Sequence, residues 1–532
     1  MSTADKFFDW NIYQVYPRSF KDSNGDGVGD LAGITEKLDY LKGLGINAVW
    51  ISPCYKSPNV DNGYDISDYR DIMDEMGTTA DWEELKEGLH ARGMKLIMDF
   101  VANHTSDKHY WFEQARSSRD NPYHDYYYWA EEPLNDWQSW FGGGSVWEYN
   151  PPTGEYYMHT FAVQQPDLNW TNPKVRREMR DIVDFWVSKG VDGFRCDVID
   201  CISKDFERGK MADGPLLHDY LHELFGRREV EHIFTVGECR TDESTILATC
   251  GEGRDELKCV FQFEHLDTGR SDKFTRKKPD LDGLRAVLVK WQNFTQSHNL
   301  PYVIVTDNHD QTAFISRAGN DKKLRYESAT MFAAMFYMLR GIPLIYQGQE
   351  IGLPNAHYDD ISAFDDVETL NYYREHAGTV PPDELMERIN FGARDNARRP
   401  MPWSGGKNYG FGEGKPWTAL HSRGGEINVA RDLESSKSVY AFYRKIFELR
   451  AEYECLRNGK FEDITPRDGC FAYQRTGENG RVVVVCNFKK SGEIAVPDCG
   501  GLRCALSNYG REGRTVSGEY APYEAAVFVG VL

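Results

Sequence analysis

Short runs of β-branched and aromatic residues recur along the chain, and the polar stretches between them carry apolar residues three and four apart. This alternation is the pattern of βα units. The runs at 12–16, 48–51, 95–100, 193–196, 234–237, 258–261, 303–306 and 343–346 predict eight strands. Helices are expected over 34–44, 81–92, 174–189 and 326–339, with Gly45, Gly93 and Gly190 where a helix would end through a left-handed residue. Eight parallel strands alternating with helices predict an α/β fold, a (β/α)8 barrel, whose chemistry sits on the loops leaving the C-terminal strand ends.

Two stretches exceed a minimal barrel. Residues 104–170 are rich in Tyr, Trp, Gly and Pro (D-Y-Y-Y-W-A, W-F-G-G-G-S-V-W) and predict a small inserted domain over the barrel mouth, after strand 3. After a helix over 436–454, the run F-A-Y-Q-R-T-G-E-N-G-R-V-V-V-V-C-N-F alternates or is apolar between turn signals, as antiparallel β-structure is. A C-terminal β-sandwich domain is expected at 457–532, leaving 1–103 and 171–456 for the barrel.

Composition narrows the function. Lys and Arg total 62 against 83 Asp and Glu, a formal charge of −21 over 532 residues, which argues against nucleic-acid or anionic-membrane partners. The eleven cysteines form no C-x-x-C pair and no zinc spacing, so reduced thiols are expected. The N-terminus lacks the apolar core of a signal peptide, and the most apolar stretch, 331–346, is broken by Arg340, Gly341 and Pro343. These features predict a cytoplasmic protein, a monomer or weak homo-oligomer. The aromatic content of 13% suits a pocket that stacks on flat apolar faces as well as a large core.

The expected strand ends are unusually ionisable. The third ends in D-F-V-A-N-H (Asp99, Asn103, His104), the fourth in G-F-R-C-D-V (Arg195, Asp197, Val198), the fifth in V-G-E (Glu238) and the seventh in T-D-N-H-D (His309, Asp310). Crowding Asp197, Glu238 and Asp310 on one rim costs electrostatic energy that folding alone does not require. Cleavage of an acetal through an oxocarbenium-like state uses such a set: one carboxylate as nucleophile, one protonated carboxyl as acid, a third to orient hydroxyls. The sequence lacks G-x-G-x-x-G for hydride transfer, H-E-x-x-H for a metal hydrolase and G-x-S-x-G for serine chemistry. No cofactor for catalysis is expected.

Nearly the whole chain resembles the α-amylase family of glycoside hydrolases, within the branch of oligo-1,6-glucosidases, dextran glucosidases and α-glucosidases. The resemblance runs in order through I-Y-Q-V-Y-P-R-S-F, D-F-V-A-N-H-T-S, Q-P-D-L-N-W, G-F-R-C-D-V-I, V-G-E, D-N-H-D-Q, I-Y-Q-G-Q-E-I-G and A-R-D-N-A-R-R-P-M-P-W. It implies Asp197 as nucleophile, Glu238 as acid and then base, and Asp310 as the residue gripping the 2- and 3-hydroxyls. It further implies Asp61, Tyr64, His104, Phe161, His309 and Arg394 around the terminal glucose. Arg195, two residues before Asp197 on the same strand face, is expected to hold Asp197 ionised. Glu238 is expected to have its pKa raised by its negative neighbours.

In D-S-N-G-D-G-V-G-D, Asp22, Asn24, Asp26 and Asp30 place oxygens at alternate positions around a turn. With the Val28 carbonyl they are the expected ligands of a structural calcium, which relatives in the resembling family often hold there. Val198 resembles the branch preferring α-1,6 links. Cys239 stands where a large aromatic is usual, and V-T-D-N-H-D replaces an aromatic-Asn run, so a roomier or more polar acceptor site is expected. The expected activity is that of a retaining exo-α-glucosidase releasing terminal α-1,6-linked glucose from short oligosaccharides. An α-1,4-glucosidase and a sucrose-active hydrolase or isomerase stay open, as does, remotely, a non-catalytic barrel of the transporter heavy-chain type.

Overall fold

The computed structural model describes residues 5–530 apart from 240, 241, 252, 255, 479, 497, 498 and 512. The eight expected strands are present as β1 (Ile12–Val15), β2 (Ala48–Ile51), β3 (Lys95–Val101), β4 (Gly193–Asp197), β5 (Phe234–Gly237), β6 (Cys259–Val260), β7 (Val303–Val305) and β8 (Ile342–Tyr346). They pair in parallel in the order β6-β5-β4-β3-β2-β1-β8-β7, and a parallel bridge between Phe261 and Val303 brings β6 against β7 to close the barrel.

Alternation along the strands sorts the side chains. Ile12, Ala48, Trp50, Ile97, Phe234, Val236, Val303, Val305, Ile342 and Leu344 fill the barrel interior. Tyr13, Val15, Val49, Ile51, Leu96, Met98 and Phe100, of the opposite parity, join the core beneath the helices. Toward the C-terminal ends the inward positions become Gln14, Asp99, Arg195 and Asp197, so the apolar plug gives way to a polar floor. The register sets this floor directly: Asp99 lies beside Arg195 and Val101 beside Asp197.

The helix expected over 34–44 is two helices, α1 (Leu31–Thr35) and α2 (Leu38–Leu44). Asp30 caps α1 by accepting the Gly33 amide, so that helix starts earlier than periodicity alone suggested. Gly45 ends α2 at φ 100°, the left-handed region expected of it. Helix α3 (Thr79–Ala91) opens with a capping box between Thr78 and Asp81, and α4 (Pro173–Ser188) with Asn172 before a proline.

Helix α5 (Arg325–Tyr337) is buried on every side except at its first two residues. The insertion contributes a three-stranded antiparallel sheet of Trp129–Ala130, Glu155–Met158 and Trp147–Asn150. A second excursion, after β8, was not expected. It carries α6 (Val367–His376) and α7 (Pro382–Gly392) around a small core of Phe364, Leu385, Ile389 and Ala393.

Beyond α8 (Val439–Glu452), the tail forms a five-stranded antiparallel sheet and a two-stranded one. One face of the larger sheet, with Phe471, Tyr473, Val482, Val484 and Val527, packs into the core beneath the barrel helices. Its other face, with Ala472, Val483, Val485 and Phe528, buries Ile494, Val516 and Tyr520. Tyr473 donates its hydroxyl to the Ala334 and Met335 carbonyls at 3.1 and 3.0 Å, pinning the sheet to α5. The apolar stretch around residue 335 is therefore a helix held between barrel and sheet. Among the described residues no helix is long and apolar enough to cross a membrane.

Candidate active site

One cavity of about 290 Å³ opens at the C-terminal end of the barrel. Its size is at the small end of the ~300–1,000 Å³ typical of small-molecule sites, which suits a sugar ring or two rather than a polymer laid across a cleft. Asp61, Tyr64, His104, Phe161, Asp197, Val198, Glu238, His309, Asp310 and Arg394 all line it. Arg195 lies beneath, 2% exposed.

The floor is built on Arg195. Its Nη1 donates to Asp99 Oδ1 at 2.8 Å and to Asp197 Oδ1 at 2.6 Å, and its Nη2 contacts Glu238 Oε2. Tyr64 donates to Asp99 Oδ2 at 3.0 Å. Three carboxylates thus face one guanidinium. Burial pushes both Asp197 and Glu238 upward; Arg195 pulls them back, and the neighbouring carboxylates raise them further. For Glu238 this is the expected direction. For Asp197 too burial is the largest cause, and Arg195, shared among three carboxylates, opposes it.

Backbone geometry aims these groups. Val198 sits at φ 33°, ψ 47°, a left-handed conformation strained for a β-branched residue. The chain turns there into the short helix Ile199–Ile202. The Ile199 amide donates to the Glu238 carbonyl, and the Glu238 amide to the Cys196 carbonyl, both at 2.9 Å, locking the ends of β4 and β5 together.

The opposite wall carries the second charge cluster. His309 Nε2 lies 3.1 Å from Asp310 Oδ2. Arg394 Nη1 and Arg398 Nη2 donate to Asp310 Oδ1 at 3.2 and 2.8 Å. Burial works against the Asp310 anion, yet its pKa lies well below the usual range. Burial also lowers His309 to about 3, so that ring is neutral at pH 7 and the two guanidinia carry the effect. Arg394 Nη2 also binds Asp61 Oδ1 at 3.1 Å, and burial raises Asp61 to about 6 against that pull. His104, lowered to about 4 by burial, meets Gln165 Nε2 at 3.2 Å. Tyr64 stacks on His309 with ring centres 5.1 Å apart and planes at 7°, and Phe161 sits 5.2 Å from His104.

The cavity also gathers residues to which sequence reasoning gave no role. Trp140 and Phe141 come from the insertion, Asp200 from the turn after Val198, Phe263 from the segment after β6, Lys273 from further along, and Glu368 from the first turn of α6. W-F-G-G-G pointed to an excursion over the mouth; Lys273 and Glu368, paired with one another, carry no local signal. Cys239 does line the cavity, beside the position of the leaving group.

The loop after β1 lies apart from this cavity. Asp22 accepts the Gly25 and Gly27 amides at 2.6 and 3.1 Å, Asp26 the Val28 amide at 2.8 Å, and Asp30 the Gly33 amide at 2.6 Å. Asn24 donates to Asp26 at 3.1 Å. These carboxylates are engaged by the loop itself, and among the described residues no three His, Cys, Asp or Glu side chains converge as a ligand group.

The model of the alpha amylase catalytic domain matches residues 14–459. The chain is 47% identical over 518 residues to an oligo-1,6-glucosidase of Parageobacillus thermoglucosidasius, covering 92% of this chain and 91% of that one. Among solved structures, the trehalose-6-phosphate hydrolase of Bacillus licheniformis aligns with a TM-score of 0.91 at 39% identity, covering 98% and 99%. The trehalulose synthase of Pseudomonas mesoacidophila aligns with a TM-score of 0.93 at 37% identity, covering 99% of each chain. The barrel, its carboxylate-lined mouth and a family match spanning most of the chain lead to one conclusion: this protein is a glycoside hydrolase of the α-amylase family.

Proposed function

We propose that the protein is a retaining exo-α-glucosidase that removes terminal α-1,6-linked glucose from short oligosaccharides. The observation that carries this reading is the bridging of Asp197 and Glu238 by one guanidinium at the floor of a small cavity. A cation shared by the two carboxylates holds them on one patch of the cavity floor, which supports the short spacing that double displacement uses. Asp197 attacks the anomeric carbon while Glu238 protonates the departing oxygen; Glu238 then takes a proton from the water that releases α-glucose. Asp310, held anionic by Arg394 and Arg398, accepts the ring hydroxyls, and the Asp61–Arg394 pair closes the cavity behind them.

Val198 in the wall and the similarity to an oligo-1,6-glucosidase support the α-1,6 preference. Lys273, a cation in the wall, is paired with Glu368, which favours an uncharged sugar over a phosphorylated one. The likeness to a trehalulose synthase favours, as the second reading, an enzyme acting on sucrose. Initial rates on isomaltose, maltose, sucrose and trehalose separate the readings. Isomaltose is expected to be hydrolysed fastest, and a clear maltose or sucrose preference overturns the linkage assignment.

The acidic loop 22–30 is proposed to hold a structural calcium ion, supported by its alternating oxygens. An ion there has to compete with the loop's own amides. Chelation with EDTA is expected to lower Tm by a few degrees with no change in the rate of the folded enzyme; an unchanged Tm argues against the ion.

A further inference from the structure

We infer that Asp366, which does not line the cavity, is a positioning residue that holds Arg394 and Arg398 together and thereby aims Asp310 at the substrate. The inference rests on the reading of Asp310 as the group that grips the ring hydroxyls.

Two guanidinia converge on a single oxygen, Asp310 Oδ1. Their mutual repulsion opposes that convergence, and Asp310 sets one negative charge against two positive ones. Asp366 supplies a second anion shared by both. Its Oδ1 lies 2.6 Å from Arg394 Nη2 and 3.1 Å from Arg398 Nη1. Its Oδ2 accepts the amide and hydroxyl of Thr369, each at 3.0 Å, so the residue caps α6 as it bridges the arginines. The side chain is 1% exposed, and both oxygens are filled.

The surroundings fix the bridge in place. Asp395 accepts the Asp365 and Asp366 amides at 2.7 and 3.3 Å, holding the turn that presents Asp366. Arg398 Nε donates to the His309 carbonyl at 3.1 Å, so the same clamp touches both residues of the His-Asp step. Arg394 and Arg398 hold the Asp366 carboxyl well below the usual range, against the cost of its burial. The unexpected excursion after β8 therefore reaches the reacting centre through Asp366 as well as through Glu368 in the cavity wall.

Asp366→Asn in the full chain keeps the shape and the cap to Thr369 but removes the bridging charge. kcat/KM on isomaltose is expected to fall roughly 10- to 100-fold, with most of the loss in kcat. Inhibition by a cationic, glucose-shaped iminosugar should weaken by the same factor, and inhibition by glucose by much less, because these hydrogen bonds strengthen in the transition state. A kcat/KM within about threefold of wild type, equal losses for both inhibitors, or a lowered Tm with normal kcat per titrated site overturns the inference. If Asp366→Asn does not fold, Thr369→Val decides: it removes one bond to Oδ2, and a lower kcat at unchanged KM supports the role while an unchanged kcat overturns it. Asp310→Asn tells the two levels apart. Turnover retained in that variant sinks the reading of the site itself, whereas an inactive Asp310→Asn beside a normal Asp366→Asn sinks only the role of Asp366.

Discussion

Asp197→Asn is expected to fold normally and to lose turnover on isomaltose by a factor on the order of 10⁴ or more, the scale seen when an essential nucleophile is removed. The amide has the volume of the carboxylate, and its oxygen still accepts the Arg195 bond that now measures 2.6 Å. It cannot form the glycosyl ester. Stability should hold or rise, since Arg195 keeps Asp99 and Glu238 as partners and the crowding of three carboxylates is relieved. Steady-state rates and a thermal melt on the same preparation check both halves. Retained activity would place the nucleophile elsewhere, and a collapsed Tm would make the loss uninformative about chemistry.

Glu238→Gln carries the second-largest effect, and its size should depend on the leaving group. With isomaltose, whose departing sugar alkoxide needs a proton, loss of the acid is expected to cost roughly 10²- to 10⁴-fold. With a nitrophenyl α-glucoside, which leaves as a weak base, the first step should survive. Breakdown of the ester then becomes limiting, and added azide should speed it and yield α-glucosyl azide. The pH profile supplies an independent check. The Glu238 carboxyl titrates above the ordinary carboxylate range, through burial and its neighbours. The wild-type rate therefore falls as pH climbs through that raised pKa, and this alkaline limb should vanish in Glu238→Gln. Persistence of the limb, or no rescue by azide, would assign the acid to another group.

Much of this site was legible in the sequence because barrel strands project alternate residues to the axis. Once G-F-R-C-D-V is a strand, Arg195 and Asp197 must share its inner face, and V-G-E then delivers Glu238 to the same rim. Strand ends and helix starts moved by a residue or a few, as with Asp30 drawing the start of α1 back to Leu31. Less legible was anything assembled from distant segments. Glu368 and Lys273 meet across 95 residues with no local pattern to announce it. The excursion that carries Asp366 has one buried residue on α6, Thr369, so its apolar periodicity is weak. The partners of Arg195 were also only partly legible: it is one cation shared among Asp99, Asp197 and Glu238, and the spacing of Arg195 to Asp197 alone shows only one of those partners.

Double displacement at Asp197 is the claim on which the rest depends, and the anomer first released tests it most directly. In a proton NMR time course of isomaltose hydrolysis, followed before mutarotation equilibrates the sugar, the glucose freed from the non-reducing end is predicted to accumulate as the α-anomer. Initial accumulation of β-glucose would mean a single displacement, and would contradict the roles given to both carboxylates.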